Sequence, residues 1–390
     1  MTEFETPLGP FALAPLGSSG QAGSAAALMP GAGRGGTLSG GRGCVMRRFV
    51  WLSLGALLLA GFAVASSGGA TQAEARWVIT DLGLTNEGAA INDRGQIVGS
   101  FYPGGGRLHA FLWQDGKMRD LGTLGGDDSD AVAINDRGQV VGSSDTRAKD
   151  KYGDPLRHGF LWQNGKMRDL GSFWPEDINN RGQIVGHADT KAKDEHGDPI
   201  PHAFLWQNGR MRDLGTLGGH RSIAVAINDR GQITGMSETK KGEPYVSAFL
   251  WENGKMRLLA PQTKSDPVLA PWATDINDRG QVVGEWRLHP FLWQDGKIRD
   301  LGLLGKQMTG GEALGINERG QVVGASYSEE DEHEFYRAFL WEKGTMIALP
   351  RLPGGGEYEE ADDINNQGQI VGWGKTKSGE THAVLWTLKP

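Results

Sequence analysis

The chain has 390 residues, 61 of them glycine, 38% of them hydrophobic, and a net charge of −7 at neutral pH. Glycine at that level without a G-X-Y period excludes collagen, and the length suits two or three ordinary domains or one repeat array. The acid excess gives no reason to expect nucleic acid, because phosphate binding needs a basic face.

Residues 1–45 are rich in Gly, Ala, Ser and Pro and too poor in large apolar groups to build a core. Met46 to Ala75 has the layout of a secretory signal peptide. Arg47 and Arg48 are its positive start, Phe49 to Ala65 its apolar run, and Ala73-Glu74-Ala75 its A-x-A cleavage signal. The alternative is an uncleaved membrane anchor, since the run is nearly long enough to span a bilayer, but the small residues after Ala65 favour cleavage. An internal signal is unusual. Residues 1–45 therefore read as a mis-called start, with translation beginning at Met46, or as a disordered extension. The twin arginines lack the preceding polar residue of a twin-arginine signal. A mature chain starting near Arg76 has no thiol, because the single cysteine is Cys44, and this suits an oxidising compartment. The expected location is secreted, periplasmic or cell-surface.

Residues 76–390 are repeats. "INDRGQIVG" at Ile91 returns in close variants at Ile134, Ile178, Ile227, Ile276, Ile316 and Ile364, with spacings of 43, 44, 49, 49, 40 and 48 residues. Each copy is followed by a block ending in Leu-Trp, at Trp113, Trp162, Trp206, Trp251, Trp293, Trp341 and Trp386. Each unit reads as four short strands. An "AVAIN"-like strand turns through "DRG" into "QIVGSS". After a variable stretch, "HAFLW" turns through "QDG" or "QNG" into "KMRDLG". Asp-Gly and Asn-Gly between apolar segments are strong hairpin signals, because both central residues of a type I′ turn need positive φ, and Gly95 and its counterparts are expected to serve the other turn alike. The apolar runs are too short for helices.

Four strands per unit, seven times over, predict an all-β fold, a seven-bladed β-propeller, with an open solenoid as runner-up. "FLW" and "IVG" suit sheets covered on both faces, and the Lys117 and Arg119 of "KMRDLG" suit an outermost edge. The ends decide for closure. The seventh unit stops at "HAVLWTLKP" without a fourth strand, while "WVITDLG", Trp77 to Gly83, is a fourth strand without the first three. A ring needs such a splice.

These residues resemble the HAF repeat, also called the probable extracellular repeat. "HAF" stands at His109 and His202, with variants at His158, His289 and His382, and Ser247 and Arg337 replace the histidine elsewhere. The resemblance covers the chain from Trp77 onward. It implies a bacterial, exported protein and brings no activity with it.

The seven tryptophans read as packing anchors between blades, since one ligand does not need seven copies. The histidines read as side chains satisfied at a strand start, and their loss in two units argues against a zinc ring. The Asn-Asp of "IND" lacks the spaced acids of a calcium loop. "GAGRGG" at Gly31 has no βαβ context, "GWGKT" at Gly372 lacks phosphate-loop spacing, and H-E-x-x-H and G-x-S-x-G are absent, so no catalytic residue is named.

Function is expected where the repeats differ. The "NDRG" and "QDG" turns fall on one face of the disc, and the variable connections fall on the other, where a rigid scaffold presents binding loops. All six tyrosines are expected in those loops: Tyr102, Tyr152, Tyr245, Tyr327, Tyr336 and Tyr358. So are Trp174, Trp272, Trp286 and Trp373. Of these, the four tryptophans with Tyr327, Tyr336 and Tyr358 are the candidate ligand-binding residues, because aromatics stack on sugars and anchor protein interfaces. Glu329, Glu330, Asp331, Glu332 and Glu334, with Glu357, Glu359 and Glu360, form a candidate patch for a cation such as calcium or for a basic partner, or else a solvated acidic surface. The expected function is a monomeric binding scaffold for extracellular carbohydrate or protein. The membrane is a partner only through an uncleaved signal segment. The alternatives are a structural envelope protein and a carboxylate-dependent glycoside hydrolase.

Overall fold

Positive φ sets the turns. In each "NDRG" the Gly amide donates to the Asn carbonyl, as from Gly95 to Asn92 at 3.0 Å, and Gly95 has φ 69°. At the second hairpin Asp115 and Gly116 have φ 51° and 75°, a type I′ pair that recurs down to Lys343-Gly344. A computed structural model describes residues 76–389, apart from 84–87, 105, 241–245, 261–269 and 329–334. The expectations for residues 1–45 and 46–75 lie outside these.

The chain begins with β1 (Arg76–Asp81) and continues into blade one: β2 (Gly88–Ile91), β3 (Ile97–Gly104), β4 (Arg107–Gln114) and β5 (Lys117–Gly122). Blade two is β6 (Gly125–Ile134), β7 (Val140–Lys149), β8 (Pro155–Gln163) and β9 (Lys166–Gly171). Blade three is β10 (Trp174–Ile178), β11 (Ile184–Lys193), β12 (Pro199–Gln207) and β13 (Arg210–Gly215). Blade four is β14 (Ser222–Ile227), β15 (Ile233–Glu238), β16 (Val246–Glu252) and β17 (Lys255–Leu258). Blade five is β18 (Trp272–Ile276), β19 (Val282–Trp286), β20 (His289–Gln294) and β21 (Lys297–Asp300). Blade six is β22 (Gly310–Ile316), β23 (Val322–Ser328), β24 (Phe335–Glu342) and β25 (Thr345–Ala348). Blade seven is β26 (Glu359–Ile364), β27 (Ile370–Lys375) and β28 (Thr381–Lys389), completed by β1 in the order β1-β28-β27-β26. The fold is a seven-bladed propeller closed by its N-terminal strand.

The core divides into seven seams, one between each pair of neighbouring blades. Trp251 of blade four packs on Val185, Leu205 and Leu214 of blade three, and Trp386 of blade seven packs on Leu340 and Leu349 of blade six. Each of the seven repeat tryptophans lies in one of these seams. Five also carry a cation on the ring face, from the outer strand of the preceding blade. Arg119 lies 5.0 Å from the centroid of Trp162, and Arg168, Arg212, Arg257 and Arg299 repeat the contact on Trp206, Trp251, Trp293 and Trp341. The outer-strand arginine thus guards an edge and also straps two blades together.

The histidines behave as expected. His109 Nδ1 meets Asp120 at 2.8 Å, and the same carboxylate accepts from the Gly122 amide. The pair recurs at His158–Asp169, His202–Asp213 and His289–Asp300. Where Ser247 and Arg337 replace the histidine, Leu258 and Ala348 replace the aspartate, so the clamp is kept or lost as a unit. In blade seven the clamp is His382–Asp81 at 2.9 Å, joining residues 301 positions apart across the splice.

Around the axis the seven asparagines of "IN" close a ring. Each side-chain amide donates to the carbonyl of the next blade's asparagine, from Asn92 to Asn135 at 3.0 Å and back from Asn365 to Asn92 at 3.0 Å. Each also holds its own turn. Asn228 accepts from the amides of Arg230 and Gln232 and donates to Gln232 Oε1 and to the Asn277 carbonyl. Replacing Asn228 with Ala should cost about 3–5 kcal/mol in chemical denaturation, because four partners, three of them in buried bonds, lose their match. A loss under about 1 kcal/mol would show that the ring does not hold the blades.

Candidate functional site

At the constant face the ring opens into a depression of about 200 Å³ lined by Ile, Asn and the following acid or amide of every blade. The residues after the asparagines form a second closed ring. The Asp93 amide donates to Asp136 Oδ1 at 2.8 Å, and the relay runs through Asn180, Asp229, Asp278, Glu318 and Asn366 back to Asp93. Five carboxylates and two amides rim the channel. Burial pushes the Glu318 carboxyl upward, with Asp278 and Asp229 adding to it against the Asp278 amide and Arg279. Each rim carboxylate accepts from a backbone amide in the preceding blade's turn, which explains why an acid or amide stands there without any calcium-loop spacing.

Deeper in the channel wall, blades three, five and seven each place an aspartate just before the isoleucine, where blades one, two and four have alanine and blade six has glycine. Asp177 accepts from the amides of Ile178 and Ile227, Asp275 from Ile276 and Ile316, and Asp363 from Ile364 and Ile91. Each bridges two blades. Burial raises Asp177 to about 7, Asp275 to about 8 and Asp363 to about 6. Repulsion from Asp363 adds to both of the others. Each side chain is half-buried, and desolvation is the largest influence on each carboxyl. Sequence reasoning missed this set. The alternation of Asp with Ala or Gly before "IN" was its only signal.

At the opposite face the aromatic residues are placed differently from expectation. The strands run further than the repeats suggested, so most candidates stand on strands rather than loops. Trp174 opens β10 and stacks on His187 with centroids 5.4 Å apart. Trp272 and Trp286 open β18 and close β19, packed against the seam between blades four and five. Trp373 lies in β27 and donates to Glu360 Oε1 at 3.3 Å. All four tryptophans are half-buried, so they are not free stacking platforms. Tyr245 lies outside the described residues, and Tyr102 and Tyr152 are exposed.

Tyr327, Tyr336 and Tyr358 do come together. Tyr336 lies 5.6 Å from Tyr327 and 6.2 Å from Tyr358, nearly parallel to the latter at 27°. The row crosses the seam between blades six and seven. Next to Tyr358 stands Glu359, only 3% exposed, with Arg351 Nε at 3.1 Å and Arg337 Nε at 3.8 Å. Its Oε2 has no hydrogen-bond partner among the described residues. Burial raises the Glu359 carboxyl to about 7 despite Arg351 and Arg337. This seam departs from the repeat in four places at once. Arg337 replaces the clamp histidine, Ala348 the clamp aspartate, Glu359 the buried serine seen at Ser129 and Ser222, and Gly374 its partner serine.

The expected acidic patch is corrected in part. Glu329, Glu330, Asp331, Glu332 and Glu334 lie outside the described residues. Of the rest only Glu357 is exposed, because Glu359 is buried between arginines and Glu360 is bonded to Trp373. Among the described residues no group of three His, Cys, Asp or Glu is arranged to hold a metal ion.

No family model matches the chain. No curated protein matches it either. Solved structures do. An acylaminoacyl peptidase from Pyrococcus horikoshii aligns with a TM-score of 0.52 at 10% identity, over 76% of this chain and 50% of that one. The chain thus spans about half the length of that peptidase. An oligogalacturonate lyase from Vibrio parahaemolyticus aligns with a TM-score of 0.50 at 8% identity, over 79% of this chain and 93% of that one. At such identities the likeness is one of fold.

Proposed function

We propose that the chain is an exported binding propeller of the HAF-repeat type, which takes an extracellular carbohydrate or protein at the seam between blades six and seven. The observation that carries this reading is Glu359 Oε2, which accepts no hydrogen bond among the described residues and is buried beside a row of three tyrosines and two arginines. A ligand hydroxyl would give that oxygen the donor it lacks, and ring stacking on Tyr336 or Tyr358 would set the ligand's orientation. The fold supplies rigidity, and the four departures from the repeat give this seam a chemistry no other seam has.

A glycan array, including acidic oligosaccharides, tests the carbohydrate arm. Against any glycan the parent retains, the Tyr336→Ala, Tyr358→Ala double variant should bind about 10-fold more weakly, since each stacked ring contributes about 0.5–1.5 kcal/mol. Retention of the same glycan at unchanged affinity would refute the site.

A further inference from the structure

The net charge of −7 conceals a basic face. The face that carries the short turns displays an inner ring of exposed arginines, Arg94, Arg137, Arg181, Arg230, Arg279 and Arg319, one from the first turn of each of blades one to six. Outside it, at the second hairpins, stand Lys117, Lys166, Arg210, Lys255, Lys297 and Lys343, all exposed. The tryptophan-strapping arginines reach the same face. A Cβ on Gly165 would stand 3.0 Å from the Arg119 guanidinium, and one on Gly344 would stand 3.3 Å from that of Arg299. These seventeen cations face nine carboxylates, of which Asp93, Asp136, Asp229, Asp278 and Glu318 are drawn into the channel rim. None of the inner arginines forms an ion pair among the described residues. The rest of the propeller is acidic in compensation, so the disc is polarised along its axis.

We infer that this face is a docking surface for an anionic lipid bilayer. Two observations select a bilayer among polyanions. The cations are spread in concentric rings over a disc, with one set per blade. That suits a flat sheet of phosphates and offers no single track for a linear polymer. The second is where the chain enters. His382 and Ala383 at the start of β28 pair with Asp81 and Leu82 at the end of β1, so β1 begins at the end of the blade bearing the short turns. The polypeptide preceding Arg76, with its apolar run from Phe49 to Ala65, therefore joins the propeller at the basic face. Left uncleaved in a bilayer, that run would tether the propeller by the end that carries this face. The variable face then points away from the bilayer, and this inference does not depend on what that face binds.

Sedimentation of the full chain with vesicles tests it. Partitioning onto phosphatidylcholine vesicles containing roughly 30% phosphatidylglycerol should exceed that onto pure phosphatidylcholine at least 10-fold at about 0.05 M salt. It should fall at least 10-fold at about 0.5 M salt, where screening is strong. Two charge-reversed proteins, one with Arg94→Glu, Arg181→Glu and Arg279→Glu and one with Lys117→Glu, Lys166→Glu and Lys297→Glu, should each lose the anionic preference. Reversal of Lys191, Lys375 and Lys377 on the variable side should not. If the arginine set fails to fold, the lysine set decides, because its side chains form no ion pair among the described residues. Equal binding to neutral and anionic vesicles would overturn the inference by leaving only apolar insertion. So would charge reversal without effect, or retention on double-stranded DNA at salt that releases the vesicles.

Discussion

Deleting Trp77 to Gly83 should open the ring and lower the melting temperature by more than about 10 °C, or leave the protein insoluble. Trp77 and Ile79 pack on the seam between blades six and seven, and Leu82 packs on the seam between blades seven and one. The deletion uncovers both seams and strips β28, Thr381–Lys389, of one of its two pairing partners. Truncating a buried apolar side chain typically costs about 2–5 kcal/mol, and losing three partly buried ones together with a strand's ladder rivals the whole stability of an ordinary domain. The exposed edge then invites pairing with other chains. Asp81→Ala is the milder control. It removes only the His382 clamp and the Gly83 cap, and should cost about 1–2 kcal/mol. Thermal melting with sedimentation velocity reads both. A truncated protein that melts within a few degrees of the parent and stays monomeric would show that the splice does not hold the ring shut.

The splice was legible because it is a matter of counting. A missing fourth strand at one end and an orphan fourth strand at the other have one economical arrangement in a closed array. The turns were legible for a local reason, since Asn-Gly and Asp-Gly need positive φ wherever they stand. The role of each repeated residue followed from its copy number. The tryptophan present in all seven units stands in a seam each time, and the five histidines that remain each meet an aspartate. What the histidine touches was half visible, because Leu258 and Ala348 replace the aspartate in the same units that lose it.

The site was less legible, because it depends on distances between blades that no local pattern encodes. Tyr327 and Tyr336 are cross-strand neighbours, but Tyr358 reaches them only because blade seven returns beside blade six. Glu359 reads in the sequence as one acid in an acidic stretch. Its burial follows from occupying a serine's position in the seam, against Gly374. The basic face was hidden for the opposite reason. Net charge averages over the molecule, whereas a repeat that places Arg in one turn and Lys after another collects both on one side of the disc.

Stability should fall as pH rises from about 5 to about 8, and the channel aspartates are the cause. In the unfolded chain Asp177, Asp275 and Asp363 titrate from an ordinary value of 3.8. In the folded channel they titrate at about 7, 8 and 6. Between those limits the folded protein holds protons that the unfolded chain has released, so each increase in pH favours unfolding. The penalty is absent below the unfolded value and complete above about 8. Glu359, raised to about 7, adds in the same direction. One pKa unit corresponds to about 1.4 kcal/mol, and coupling among the three keeps the total below a simple sum, so a loss on the order of 3 kcal/mol is expected across that window. Asp275→Ala and Asp177→Ala should flatten the slope, because Ala90, Ala133 and Ala226 already fill the same position in blades one, two and four. Each variant should match or exceed the parent at pH 8 and fall below it near pH 5, where the protonated carboxyl still bridges two backbone amides without carrying charge. Denaturant titrations at pH 5, 6.5 and 8 measure this directly. A parent whose stability is flat or rising across the window, or variants that keep the parental slope, would show that the three aspartates are not held protonated in the channel.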